Sequence, residues 1–277
     1  MAESNFTLTA LNGQPLYGRV WSPARPKAVI ALIHGLGEHS GRYTHVAAEF
    51  NHSGYAVLAC DLPGHGKTAG PRGVTPPFDQ LSESCAGLLA EAEQRYPGKP
   101  RFLYGHSLGG TIVLYYTIRR NPQIAGVVST SPALRLGGNP QRAKVAFGKL
   151  VGRLAPNIVM VNGLERQALS RDPQVVAAYA DDPLVHDRVS ARLGIGGIEA
   201  GAWLLAHAAE FPQVPLLLVH GTADRITSAA GTEEFASRLK GDVTLKLWPG
   251  LYHETHNEPE KTDVLCYNIA WLDGHLE

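Results

Sequence analysis

Gly105-His-Ser-Leu-Gly109 sets a serine between two glycines, directly after a strand-like run, Arg101-Phe-Leu-Tyr104, and ahead of a helix-like one. In that setting a G-x-S-x-G pentapeptide is a nucleophile elbow, a strained strand-to-helix turn whose serine hydroxyl projects into a cleft. Gly105 and Gly109 suit the turn because a β-carbon at either place would crowd neighbouring backbone. A serine hydroxyl is a weak nucleophile until a base takes its proton, and the base needs a third group to hold its tautomer. In open α/β sheets such groups gather at the carboxyl ends of strands, in the chain order Ser, Asp, His. Asp224 follows the apolar run 215–219, and His253 follows the run 243–248. Ser107, Asp224 and His253 are therefore the candidate nucleophile, orienting acid and base.

Acyl transfer passes through an oxyanion that needs two donors. The N–H of Leu108, at the start of the helix, is one candidate. The loop His34-Gly-Leu-Gly37, after the apolar run 28–33, offers the N–H of Leu36 as the other. Rival histidines have blander readings. His106 is expected to point away from the nucleophile as a structural or pocket-lining residue, and His220 to make a core hydrogen bond. His256 suits a supporting or substrate-contacting place. Asp61 and Asp79 rival Asp224, but Asp61 opens Asp-Leu-Pro-Gly-His-Gly66, which reads as a tight loop. His253 and His256 lack the H-E-x-x-H spacing and a third ligand, so neither a metal nor any other cofactor is expected.

The elements that must position these groups follow from patterning. The chain has 277 residues, enough for one large α/β domain or two small ones, with 25 basic and 25 acidic side chains. That balance provides no global field toward nucleic acid. No apolar stretch reaches membrane-spanning length. The start, Met-Ala-Glu-Ser-Asn, does not read as a signal peptide. Cys60, Cys85 and Cys266 form no C-x-x-C pair and read as buried small hydrophobes in a reducing compartment. A cytoplasmic location follows, with peripheral contact at a membrane surface as a hypothesis.

Residues 6–10 and 16–21 flank Asn12-Gly13, a hairpin signal. The runs 28–33, 55–59, 125–129 and 215–220 are continuously apolar, as strands buried on both faces are. The run 243–248 alternates more and belongs nearer an edge. Helical patterns cover 45–52, 78–96, 108–120, 232–239 and 259–272. A hairpin followed by repeated strand–helix units predicts an α/β sheet with right-handed crossovers. The interval between the strands near residues 129 and 215 shows no clear strand and is too long for one connection. It reads as a helical cap, with an amphipathic helix at 141–154, a short helix at 173–179 and another at 198–211. Gly137-Gly138, Gly194, Gly196 and Gly197 are the expected hinges. The division is thus a core of 1–132 and 212–277 with a cap of 133–211.

These residues resemble the monoacylglycerol lipase (lysophospholipase-like) group of the α/β-hydrolase superfamily. The resemblance is carried by His34-Gly-Leu-Gly-Glu-His-Ser-Gly-Arg-Tyr43, Asp61-Leu-Pro-Gly-His-Gly66, Gly105-His-Ser-Leu-Gly-Gly110, Ser131-Pro132, Asp182-Pro-Leu184, Gly221-Thr-Ala-Asp224 and Tyr252-His253. It implies an α/β-hydrolase fold, a mostly parallel central sheet with helices on both faces and a helical cap. It also implies cleavage of monoacylglycerols, with an apolar acyl channel and a small polar pocket for the glycerol end. By motif, the resemblance makes Glu38, Arg42, Tyr179 and His256 substrate-binding residues, although Glu38 and Arg42 could instead pair to hold their loop. Leu108 stands where this family often has methionine, which would reshape the acyl pocket. The alternatives are a broader carboxylesterase or lysophospholipase, an aminopeptidase gripping an amine with Glu38 or Glu165, and a non-catalytic binding protein. Acyl-chain length and oligomeric state stay open.

Overall fold

The computed structural model describes residues 2–9, 13–138 and 154–276. Strands β1 (Ala2–Thr9), β2 (Pro15–Ser22), β3 (Ala28–Ile33), β4 (Tyr55–Cys60), β5 (Arg101–His106) and β6 (Gly126–Thr130) build the first part of a central sheet. Two short strands, β7 (Val159–Val161) and β8 (Arg188–Ser190), stand apart from it, and β9 (Leu216–Gly221) and β10 (Val243–Trp248) complete it. The eight-stranded order is β1-β2-β4-β3-β5-β6-β9-β10. β2 is antiparallel to β1 and β4, and every pairing from β4 to β10 is parallel.

The continuous apolar runs are explained by two cores, one on each face of the sheet. In β3, Val29, Ala31 and Ile33 enter one core while Ala28, Ile30 and Leu32 enter the other, the period of two expected of a strand. Helices α1 (Thr44–His52) and α8 (Lys261–Asp273) cover one face through Phe50, Leu265 and Leu272. Helices α3 (Ser84–Arg95), α4 (Leu108–Arg120) and α7 (Ala229–Arg238) cover the other through Leu88, Ile112 and Phe235. β10 lies at the edge and is half-buried throughout, as its alternation predicts.

The structure departs from the sequence expectation in several places. The helix expected over 78–96 breaks at Glu83 into α2 (Phe78–Ser82) and α3. There the Glu83 amide bonds only three residues back, to Gln80 O at 3.2 Å, and its carboxylate pairs with Arg120. The interval read as strandless holds β7 and β8, paired antiparallel; three residues apiece are too few for a period to show. Helix α5 (Pro173–Asp181) starts at a proline behind an Asp172 cap that accepts from Gln174 N at 2.8 Å. Helix α6 (Ala191–His207) begins at Ala191 rather than residue 198, capped by Ser190. Gly194, Gly196 and Gly197, expected as hinges, therefore lie inside a regular helix, held there by buried Leu193, Ala200 and Leu204. Gly137 is no hinge either, because its amide bonds Ile226 O at 2.8 Å. The helix expected at 141–154 lies outside the described residues apart from Leu154. Cys60 and Cys85 are buried, but Cys266 is exposed.

Candidate active site

Ser107 occupies the single step between the end of β5 and the start of α4, with φ 56° and ψ −117°. Such a backbone is disfavoured for a side-chain-bearing residue by about 1–3 kcal/mol and persists only where its surroundings enforce it. Here Ser107 N bonds Thr130 O at 2.9 Å, and Ser107 O accepts from Thr111 N at 3.0 Å. A β-carbon on Gly105 would lie 2.2 Å from Gly109 O, and one on Gly109 would lie 2.1 Å from Ile33 O. Both flanking glycines are thus required for the turn to nest between strands.

From this turn the Ser107 hydroxyl reaches His253 Nε2 at 2.9 Å, and His253 Nδ1 reaches Asp224 Oδ2 at 2.7 Å. Asp224 lies just beyond β9 and His253 just beyond β10, so the three groups meet at the carboxyl ends of the parallel strands β5, β9 and β10. A carboxylate only accepts, so Nδ1 carries the imidazole proton and Nε2 keeps its lone pair for the serine. Asp224 Oδ1 also accepts from Ile226 N at 2.7 Å and Thr227 N at 3.0 Å, and Oδ2 from the Thr227 hydroxyl at 2.8 Å. Burial alone would raise the Asp224 pKa. The charge of His253 and hydrogen bonds from His220 and His253 outweigh it and hold the acid far below the usual carboxylate range. Burial likewise works against a charged His253, yet the Asp224 charge and hydrogen bond leave its pKa above the ordinary imidazole value.

Two histidines make contacts beyond those expected. His220 does bond a core group, the Thr232 hydroxyl at 2.8 Å, but its Nε2 also donates to Asp224 at 3.1 Å. Their separation of four residues was the available signal. His106 does not simply turn away: its ring packs 4.8 Å from the rings of both His253 and His256. Burial, then the neighbouring charges of His256 and His253, holds its pKa well below 6.5. Its ring thus flanks the candidate base.

The loop after β3 closes on the serine from the opposite side. A β-carbon on Gly35 would stand 3.3 Å from Ser107 Cβ, and Leu36 and Leu108 line the same cavity as Ser107. Glu38 braces this loop. Its Oε1 accepts from Gly35 N at 2.6 Å and Tyr43 OH at 2.7 Å, and its Oε2 from Arg42 Nη1 at 2.6 Å. Arg42 then forks onto Glu254, beside His253, at 2.6 and 2.8 Å. Arg42 is thus a buried clamp between the two loops. Burial would raise the Glu254 pKa, but the charge and hydrogen bonding of Arg42 hold it far below the usual range. His256 stacks on Tyr43 at 5.1 Å, and burial brings its pKa down to about 4. Tyr179 lies under the Arg42 guanidinium, 4.7 Å from ring centre to Cζ.

Ser107 opens into a cavity of about 770 Å³, lined mainly by apolar groups such as Leu134, Val189, Leu193, Ile198 and Leu205. Among the described residues, the charged ones in its lining, Arg135, Glu234 and Arg238, pair through Glu234. Glu38, Arg42, Tyr179 and His256 are outside this lining, and Glu38 and Arg42 pair with each other, as the alternative reading of their loop has it. The carboxylate and guanidinium are consumed by their mutual pairing, and His256 is walled in by rings. Tyr179 borders a smaller pit with Arg166, His186 and Asp187, and Asn162 and Leu164 line both spaces. Part of the interval before β9 is stitched to the catalytic loops. Glu254 N bonds Leu169 O at 2.8 Å, His186 N bonds Gly37 O at 2.9 Å, and Arg171 holds the fully buried Glu258.

An eight-stranded, mostly parallel sheet with a serine at a strained strand–helix turn and an acid and histidine on later strand ends defines an α/β-hydrolase. The family described as "Serine aminopeptidase, S33" (Hydrolase_4) matches residues 24–260, and the chain belongs to that family. It is 38% identical over 276 residues to a monoacylglycerol lipase of Mycolicibacterium smegmatis, covering 99% of this chain and 98% of that one. It is 34% identical to the monoglyceride lipase of Homo sapiens, covering 96% and 89%. An uncharacterized abhydrolase domain-containing protein of Dictyostelium discoideum is 35% identical over all of this chain, which spans only 30% of its length. The crystal structure of a Paleococcus ferrophilus monoacylglycerol lipase superposes with a TM-score of 0.85 at 36% identity, covering 94% and 99%. The chain is a carboxylic ester hydrolase of the α/β type.

Proposed function

We propose that this chain cleaves monoacylglycerols to free fatty acid and glycerol through an acyl-enzyme on Ser107. The observation that carries this reading is the unbroken Ser107–His253–Asp224 hydrogen-bonded line opening onto a large apolar cavity. Ser107 attacks the ester carbonyl while His253 takes its proton, and Asp224 stabilises the imidazolium that forms. The Leu36 and Leu108 amides receive the oxyanion. His253 returns the proton to the departing glycerol oxygen, then activates the water that releases the fatty acid. The acyl chain occupies the apolar cavity, and the pit beside Tyr179 and Asn162 takes the glycerol end. No cofactor enters the scheme. Residues 133–211 act as a cap on a core of 1–132 and 212–277. Leu154, Ile158, Met160 and Val161 are exposed on that interval, which supports transient contact with a membrane or micelle surface.

The aminopeptidase alternative has weak support, since an amine needs an accessible carboxylate. Among the described residues, Glu234 is the acid lining the cavity and is held by two arginines, while Glu165 pairs with Arg225 at 2.8 Å. Fluorophosphonate labelling followed by turnover of monoacylglycerols, lysophospholipids, p-nitrophenyl esters and aminoacyl anilides tests the proposal. The expected result is a label lost in Ser107→Ala and highest turnover on monoacylglycerols. A label that survives in Ser107→Ala, or faster release of anilides, refutes it. Co-sedimentation with vesicles checks the surface contact, which is abandoned if neither binding nor activation appears.

A further inference from the structure

Four glycines fall inside α6, at positions 194, 196, 197 and 201. Glycine is the least favourable helix-interior residue after proline, so each of them calls for a reason. At Gly201 the reason is crowding: a β-carbon would stand 2.6 Å from Leu134 O and 2.7 Å from Ala133 O. At Gly196 a β-carbon would meet Phe78 Cβ at 3.4 Å, and that position is outside the cavity lining. Gly194 and Gly197 are different. Both line the cavity, neither has a positive φ, and β-carbons there would meet only Val189 Cγ2 at 3.6 Å and Leu108 Cδ1 at 3.8 Å. Those are ordinary contacts, so neither the backbone nor a close neighbour demands glycine. What the missing side chains leave is room, and at Gly197 it lies across from the residue next to Ser107.

We propose that Gly197 widens the acyl cavity beside the reacting ester, with Gly194 adding room three residues earlier, fitting the enzyme to acyl groups that are branched or ring-bearing close to their carbonyl. The inference rests on the reading of Ser107 as acyl carrier. A straight alkyl chain needs no extra width at its first carbons, whereas a branch or ring there must be housed at the Leu108–Gly197 constriction. A leucine at 197 would fill that space with its isobutyl group and leave the distant part of the cavity untouched.

The test compares purified wild-type protein with Gly197→Leu, Gly197→Ala and Gly196→Ala on p-nitrophenyl esters of two isomeric acyl groups, octanoyl and α-ethylhexanoyl. The two carry the same number of carbons, the branched one with two of them moved from the far end of the chain to the carbon next to the carbonyl. The ratio of kcat/KM, branched over straight, should fall by about tenfold or more in Gly197→Leu, the scale on which a pocket discriminates by a methylene or two. Gly197→Ala should give a smaller fall and Gly196→Ala none. If Gly197→Leu does not fold, Gly197→Ala against Gly196→Ala decides. An unchanged ratio in the 197 variants, or wild-type rejection of the branched ester, overturns the inference. So does an equal fall in Gly196→Ala, which would make helix flexibility the cause. Mass spectrometry after fluorophosphonate treatment separates the two levels. No adduct on Ser107 sinks the catalytic reading, while an adduct with an unchanged ester ratio sinks this inference alone.

Discussion

Replacing Arg42 by methionine keeps much of the side chain's length and removes its charge. The guanidinium sits between Glu38 and Glu254, whose side chains are only 3% and 2% exposed. Without it both carboxylates are buried without a counter-charge, keeping only donors such as Gly35 N and Tyr43 OH on Glu38 and Asn257 Nδ2 on Glu254, and breaking a buried ion pair from one side costs roughly 3–5 kcal/mol. At about 2–4 °C per kcal/mol for a domain of this size, the melting temperature should fall by roughly 6–20 °C. The pH dependence gives a sharper signature. In the wild type Glu254 has a depressed pKa, so its stabilisation is present above the unfolded carboxylate value near about 4.3 and is lost as pH falls through the folded value. In Arg42→Met the largest influence opposing burial is gone, the lesser effects of His256 and His106 remain, and the Glu254 pKa should move up. The variant is then penalised at neutral pH and relieved as acid protonates the group. Thermal melts of both proteins from pH 8 to pH 5 should show the gap narrowing with acid, and adding Glu254→Gln to Arg42→Met should recover part of the loss. A gap that is constant with pH, or a double variant no more stable than the single one, would refute the reasoning.

Three further outcomes are expected. The rate should rise with pH through a limb displaced above the ordinary imidazole value, because burial of His253 is outweighed by Asp224 and the neutral base is the active form; Asp224→Asn should abolish the displacement and lower kcat by about four orders of magnitude, as pH–rate profiles will show. His220→Gln removes one of the donors to Asp224, and single-turnover acylation should slow roughly tenfold to a hundredfold with KM little changed, since a hydrogen bond to a charged group is at stake. Arg171→Ala strips the partner from Glu258 and loosens the strip that bonds the His253 loop; fluorophosphonate labelling should slow, and Arg171→Lys should recover part of the rate.

The parallel sheet was legible in the residues because burial on both faces writes unbroken apolar runs, as in β3, β4 and β9. The turn at Ser107 was legible because the glycines beside it have a local steric duty. Harder features were those whose cause lies far along the chain or in too few residues. β7 and β8 are three residues each, below the length at which alternation can be read. The start of α6 was hidden by glycines that depress helix propensity, although buried leucines enforce the helix. Nothing near Arg42 announces Glu254 as its partner, and the sequence leaves Glu38 equally suited to a substrate pocket or a loop brace, because the three donors that hold it are a matter of folded geometry.

The clamp at Arg42 also bears on what a cut in the backbone would do. Arg42 and Glu254 are 212 residues apart, so neither loop completes the pair from its own neighbourhood. A fragment that stops short of the Glu254 loop keeps Ser107 and Arg42 but holds only one of the two carboxylate partners and lacks His253. A proteolytic nick followed by separation of the pieces should therefore remove the brace and the proposed base in one stroke.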